Sequence, residues 1–235
     1  MKFLAKWRVR KPADDAETVY ISEKFGVRAL HIGSDTVQSA MRIARPDDLE
    51  LSYTRSMMGF MLFRERPQRV LMIGLGGGSL AKFIYRRLPW TRLKVIEISP
   101  RVVAIARQYF HVPQDDRRFC IVIGDGAQYV AQTQEQADLI VVDGYDAESH
   151  VEALSSRAFY QACRERLAAD GILVVNLWSG EREFNDTLKR IESAFPGGTV
   201  CLPAEKPGNV AVFAFRDSPG SPQWEDLARR ARRLQ

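Results

Sequence analysis

From Arg69 onward the chain repeats one pattern: a short run rich in β-branched residues, a turn carrying glycine or a polar cap, then a helical stretch. A connection long enough to hold a helix returns each strand parallel to the last, and near-continuous apolar strands are those buried on both faces. The pattern therefore predicts an α/β fold with a doubly wound, mainly parallel sheet. Strands are expected at 69–73, 93–98, 119–123, 138–143 and 171–176, with helices over 79–88, 100–110, 126–132, 156–168 and 183–194. Ser99 before Pro100 reads as a helix cap followed by proline in the first turn. Two last strands, near 198–202 and 209–215, are separated by too few residues for a crossover helix. They should form a terminal hairpin and complete a seven-stranded sheet.

Before residue 69 the spacing changes. Short strands near 19–22, 27–32 and 36–42 suggest a small antiparallel β element, joined to the main body by a helix over about 48–62. The expected division is 1–47 for this element and its basic leader, 48–216 for a nucleotide-binding domain, and 217–235 for a basic C-terminal helix.

The charge is unevenly placed. The chain of 235 residues has a formal charge of +5, yet residues 1–11 alone contribute +5 and residues 222–235 contribute +2, leaving the body at −2. A basic body, as nucleic-acid binding would ask for, is not present, so no nucleic-acid partner is expected. With 27% charged residues and no apolar run approaching the roughly 20 residues of a bilayer crossing, no membrane partner is expected either. The N-terminus has no secretory pattern, and the protein is expected to be cytoplasmic. Cys120, Cys163 and Cys201 are read as buried thiols of a reduced compartment. They and His31, His111 and His150 lack any metal-binding spacing, so no metal is expected.

The chemistry should gather at the carboxyl ends of the strands. Gly74, Gly76 and Gly78 occupy a strand-to-helix turn, where a backbone without side chains admits a ligand to a helix N-terminus. Glu97, 23 residues after Gly74 at the end of the second strand, is placed to receive ribose hydroxyls. Glycine at the first, third and fifth positions, with Ser79 at the sixth, departs from the dinucleotide fingerprint and suits a sulfur nucleoside better. Asp125 and Gly126 follow the third strand, where an acid reaches the adenine amino group. Asp143 and Asp146 follow the fourth. Two carboxylates three residues apart beside an adenosyl ligand either hold and deprotonate an amine or cap the next turn.

The runs VLMIGLGGGSL, VIEISPRVVAIARQYF, IVIGDGAQYV, ADLIVVDGYDA and FYQACRERLAADGILVVN resemble the spermidine synthases and related aminopropyltransferases. The resemblance covers about residues 69–177. It implies a class I methyltransferase-like Rossmann fold and a homodimer. No tightly bound cofactor is implied: decarboxylated S-adenosylmethionine is a co-substrate, and the acceptor is a polyamine such as putrescine. It also implies Asp143 as the catalytic acid/base, Glu97 on the ribose, Asp125 beside the adenine, and Gln38, Tyr53 and Asp146 on the acceptor. Gly77 stands where the family carries an aspartate toward the donor's amine, and Leu-Pro-Ala-Glu205-Lys-Pro-Gly replaces a stretch with a channel-lining tyrosine. These departures keep S-adenosylmethionine-dependent methyl transfer and non-catalytic nucleoside binding open as alternatives.

Overall fold

The computed structural model describes residues 19–144, 152–220 and 223–234. Strands β4 (Arg69–Ile73), β5 (Arg92–Glu97), β6 (Phe119–Ile123), β7 (Ala137–Val142) and β8 (Leu167–Trp178) run parallel, and β9 (Thr199–Pro203) with β10 (Asn209–Phe215) forms the expected hairpin. The seven-stranded order is β6-β5-β4-β7-β8-β10-β9, with β10 antiparallel to both neighbours.

Strand periodicity sorts the core. Val70, Met72, Val95 and Val174 pack with α1 (Ser52–Met57), α2 (Ser79–Arg87) and α3 (Pro100–Tyr109) on one face. Leu71, Ile73, Ile96 and Val175 pack with α4 (Gly126–Gln132), α5 (Arg157–Arg166) and α6 (Phe184–Ala194) on the other. Both faces are covered, which is why these strands read as unbroken apolar runs. Ser99 caps α3 by accepting the Val102 N–H at 3.3 Å.

Three expectations are corrected. The helix expected over 48–62 starts at Ser52, and Met58–Leu62 tightens into a 3-10 turn. Glu50 is drawn away by Arg42 (2.8 and 3.0 Å), and Gly59 lies so close to β10 that a Cβ would sit 3.0 Å from the Phe213 ring. The helix expected to reach residue 168 ends at Arg166, because the buried Leu167 already pairs with Ala137 as the first residue of β8. Of the cysteines only Cys163 is buried; Cys120 is half-buried and Cys201 exposed. These last two lie on β6 and β9, the edge strands, where the covering layers thin out.

Strands β1 (Val19–Lys24), β2 (Val27–Ile32) and β3 (Val37–Arg42) form a separate antiparallel sheet, whose Val19, Leu30 and Met41 pack on Val102, Ile105 and Phe110 of the main body. Lys82 of α2 fastens the two together. It is 1% exposed, and its ammonium donates to the carbonyls of Pro46 and Phe110 at 2.7 Å, with the Met41 sulfur at 3.2 Å. A C-terminal helix, α7 (Trp224–Leu234), is anchored by Arg230 on the Leu62 carbonyl and Arg233 on Glu65. Among the described residues no helix is long and apolar enough to cross a membrane.

Burial lowers the Lys82 pKa from 10.5 to about 8, against the pull of Asp47. Between those values the unfolded chain holds a proton that the folded chain has released, so this group makes stability rise with pH across the window. Relative to Lys82→Met, the protein should gain about 2 kcal/mol between pH 8 and pH 10. Urea denaturation at the two pH values measures this; a constant difference would mean that Lys82 titrates as in solution.

Candidate active site

The strand order reverses at β4, with β5 and β6 on one side and β7 and β8 on the other. Connections leaving the carboxyl ends therefore part at this point, and a cleft of about 690 Å³ opens there. Backbone hydrogen bonds close its floor: the Gly74 N–H donates to Ile96 and the Asp143 N–H to Ile73, both at 2.9 Å. Gly74 adopts φ +89°, and a Cβ there would lie 2.3 Å from the Asp143 carbonyl oxygen. Only glycine lets the two loops approach so closely.

At the β5 end, Glu97 is 7% exposed. One carboxylate oxygen accepts the Leu75 N–H at 2.8 Å and the other the Ser99 N–H at 2.9 Å, so the acid ties the glycine loop to the strand beside it. Burial raises its pKa while these amides, with those of Gly76 and Ile98, pull it back. Asp125 caps α4 by accepting the Gln128 N–H at 2.9 Å and still lines the cleft, as do Gly124 and Gly126.

At the β7 end, Asp143 holds the centre. Its Oδ2 accepts the Tyr53 hydroxyl at 3.2 Å and its Oδ1 accepts the Asn176 amide at 2.9 Å; the Asn176 oxygen in turn accepts from Asn209 at 3.0 Å. Burial drives the Asp143 pKa up, and the Asn176 and Tyr53 hydrogen bonds hold it down. The result is a fixed carboxylate with raised proton affinity, the character of a general base.

The cleft thus brings together Gly74, Gly76, Glu97, Asp125, Gly126, Asp143, Gln38 and Tyr53. Gly78 does not line it: this residue caps α2 from behind, where a Cβ would meet Val112 at 2.3 Å. Gly77 also faces away, since a Cβ would lie 2.9 Å from the Ser39 Cβ and 3.0 Å from the Phe110 ring. The donor-facing carboxylate expected for this position has no room here. Asp146 lies outside the described residues. Sequence reading missed Asn176, Asn209, Trp178 and the exposed Ile98, all of which line the cleft. Asn176, polar at the end of an apolar strand run, carried a readable signal; Asn209 and Trp178 enter only through the pairing of β10 with β8.

Among the described lining residues are four carboxylates, Glu97, Asp125, Asp143 and Glu181, and no Lys, Arg or His. Such a cleft suits a cationic ligand and offers no positive side chain to a phosphate. Among the described residues no group of acidic, His or Cys side chains is arranged to hold a metal ion. If Glu97 receives the ribose hydroxyls of an adenosine ligand, Glu97→Gln should weaken S-adenosyl nucleoside binding by about 1.5 to 3 kcal/mol. Calorimetric titration tests this, and unchanged affinity removes Glu97 from the binding set.

Comparison with known proteins gives the family. The spermine/spermidine synthase domain model matches residues 50–213. A polyamine aminopropyltransferase of Chromobacterium violaceum is 43% identical over 228 residues, which is 97% of this chain and 87% of that protein. A spermidine synthase solved with the transition-state analogue AdoDATO has the same fold, with a TM-score of 0.76 at 22% identity over 95% of this chain and 78% of that one. Human methyltransferase-like protein 13, solved with SAH, superposes with a TM-score of 0.70 at 25% identity over 78% of this chain and 90% of that one. The glycine loop, the acid on β5 and the aspartate after β7 are thus held in a chain that belongs to the spermine/spermidine synthase family.

Proposed function

We propose that the protein transfers an aminopropyl group from decarboxylated S-adenosylmethionine to a polyamine-type amine acceptor, the activity for which its Chromobacterium violaceum relative is named. The observation that carries the reading is the cleft itself: four carboxylates and no basic side chain among its described lining residues, with the one at Asp143 half-buried and held from two sides. Donor and acceptor are both cations, and both would be drawn there.

In this reading the nucleoside lies over the ends of β5 and β6, with Glu97 toward the ribose and Asp125 toward the adenine. The sulfonium then falls between the glycine loop and Asp143. An acceptor ammonium must lose a proton before its nitrogen can attack. That first proton goes to solvent; Asp143 orients the resulting neutral amine and takes a second proton from the nitrogen as the new nitrogen–carbon bond forms. The carbon–sulfur bond breaks with its electron pair on sulfur, which leaves as a neutral thioether. Gln38 and Tyr53, reaching in from β3 and α1, would wall the acceptor, together with Asp146. A cytoplasmic homodimer without nucleic-acid or membrane partners belongs to the same reading and rests on the family resemblance and the charge distribution.

The second reading is methyl transfer from intact S-adenosylmethionine. It is favoured by the likeness to human methyltransferase-like protein 13. Against it, the methionine carboxylate would find no Lys, Arg or His among the described lining residues. Titration with the two donors separates the readings, and Gly77→Asp does not, because its side chain has no room to face either donor.

Asp143→Asn keeps the shape and loses the base, so turnover should fall roughly 100- to 10,000-fold with nucleoside affinity little changed. Mass spectrometry of reactions with putrescine, spermidine and a diamine panel reads the product; full turnover by the variant would remove Asp143 from the chemistry.

Activity should also decline as pH falls, because only ionised Asp143 accepts a proton, and the decline should begin above the ordinary carboxylate range. Asn176→Leu deletes a hydrogen bond that favours the ionised form, so the acid limb should move to higher pH. The acceptor's own titration is common to both proteins and cancels in the comparison of their pH–rate profiles.

A further inference from the structure

Trp178 is the last residue of β8, and it lines the cleft with 44% of its surface exposed. An indole so exposed at the mouth of an acidic cleft is unusual in its seating as well. A Cβ on Gly208 would come within 2.2 Å of two ring carbons, and one on Gly180 within 2.6 Å of the ring nitrogen. Two bare backbones thus make a notch for the ring, and the Ser179 N–H to Gly208 carbonyl bond at 2.7 Å closes the notch between them. Gly208 ends the 203–208 connection, the stretch in which this chain lacks the family's tyrosine.

The ring lies on the acceptor side. The nucleoside end is built on β5 and β6, whereas β8 is three strands from β5 in the sheet, about 14 Å at the usual interstrand spacing. Adenine bound over β5 and β6 is therefore out of its reach. Asn176, which holds Asp143, precedes Trp178 by two residues on the same strand, while Leu177 between them points into the opposite core. The two side chains share a face and are about 7 Å apart along the strand. Asn209, the other end of the amide relay, is the cross-strand partner of Trp178. An extended diamine with four or five carbons spans a comparable length.

Resting on the aminopropyl-transfer reading, we propose that Trp178 is a specificity-determining residue: with one amine of the acceptor at Asp143, its indole takes the second, still protonated amine by a cation–π contact. The acceptor class is then an α,ω-diamine rather than a monoamine. The attraction between an ammonium and an indole face is strengthened where the cleft excludes water.

The test compares 1,4-diaminobutane with n-butylamine, which has the same chain and one amine, as acceptors with decarboxylated S-adenosylmethionine. The wild type should favour the diamine. Trp178→Leu should lower kcat/KM for the diamine about 3- to 30-fold, mostly through KM, and lower that for butylamine clearly less. Trp178→Phe, which keeps an aromatic face in the notch, should retain most of the preference, and it carries the test if the leucine variant does not fold. Equal losses for both acceptors would mean a merely structural role and overturn the proposal. So would a preference erased by Glu181→Gln and untouched at Trp178, which would assign the second amine to the carboxylate on the neighbouring turn. Transfer to neither acceptor by the wild type would instead defeat the aminopropyl-transfer reading, and this proposal with it.

Discussion

Gly74 and Asp143 meet at a separation that leaves no space for a Cβ. That contact joins the turn after β4 to the turn after β7 at the one place where the sheet order reverses. A larger residue at 74 would push the two turns apart and carry Asp143 away from Asn176 and Tyr53. The glycine loop is held on its other side by the two oxygens of Glu97. The Glu97 end and the Asp143 end of the cleft are therefore positioned by contacts to one short loop, and each constrains the other.

Electrostatics places the site against the background of the molecule. The chain is positive, but its excess positive charge sits at its two ends, and the charged side chains described in the cleft wall are all acids. Asp143 shows what this arrangement does to a single group. Burial alone would favour the neutral acid, and donors from Tyr53 and Asn176 keep the anion accessible. A carboxylate balanced in this way accepts a proton more readily than a solvated one and still keeps a fixed geometry.

Much of this was legible because the physics behind it is local. β-branched runs buried on both faces marked the strands, Ser99 and Pro100 marked the start of α3, and the spacing from Gly74 to Glu97 marked the nucleoside end. What was not legible depends on residues far apart in the chain. The helix expected over 48–62 is shortened by the approach of Gly59 to Phe213, and nothing near residue 59 announces that neighbour. Gly77 sits at a position aligned with a donor-facing aspartate, yet the direction in which its side chain would point is decided by Ser39 and Phe110. Asn209 and Trp178 become neighbours only when β10 lies antiparallel on β8. The acceptor wall was the least visible part because it is assembled from the chain's first third, its fifth parallel strand and its final hairpin.

The strand order has an evolutionary consequence. In the aminopropyl-transfer reading, recognition of the nucleoside is built on β4, β5 and β6, whereas the far wall is built on β8 and β10, and the two regions share only the strands that carry Asp143 and the glycine loop. Substitutions in the β8–β10 wall can accumulate without disturbing the end of the cleft built on β5 and β6. A lineage carrying this sheet is thus free to change what it modifies while keeping the same activated donor, which gives a physical route by which one scaffold can diversify its acceptors.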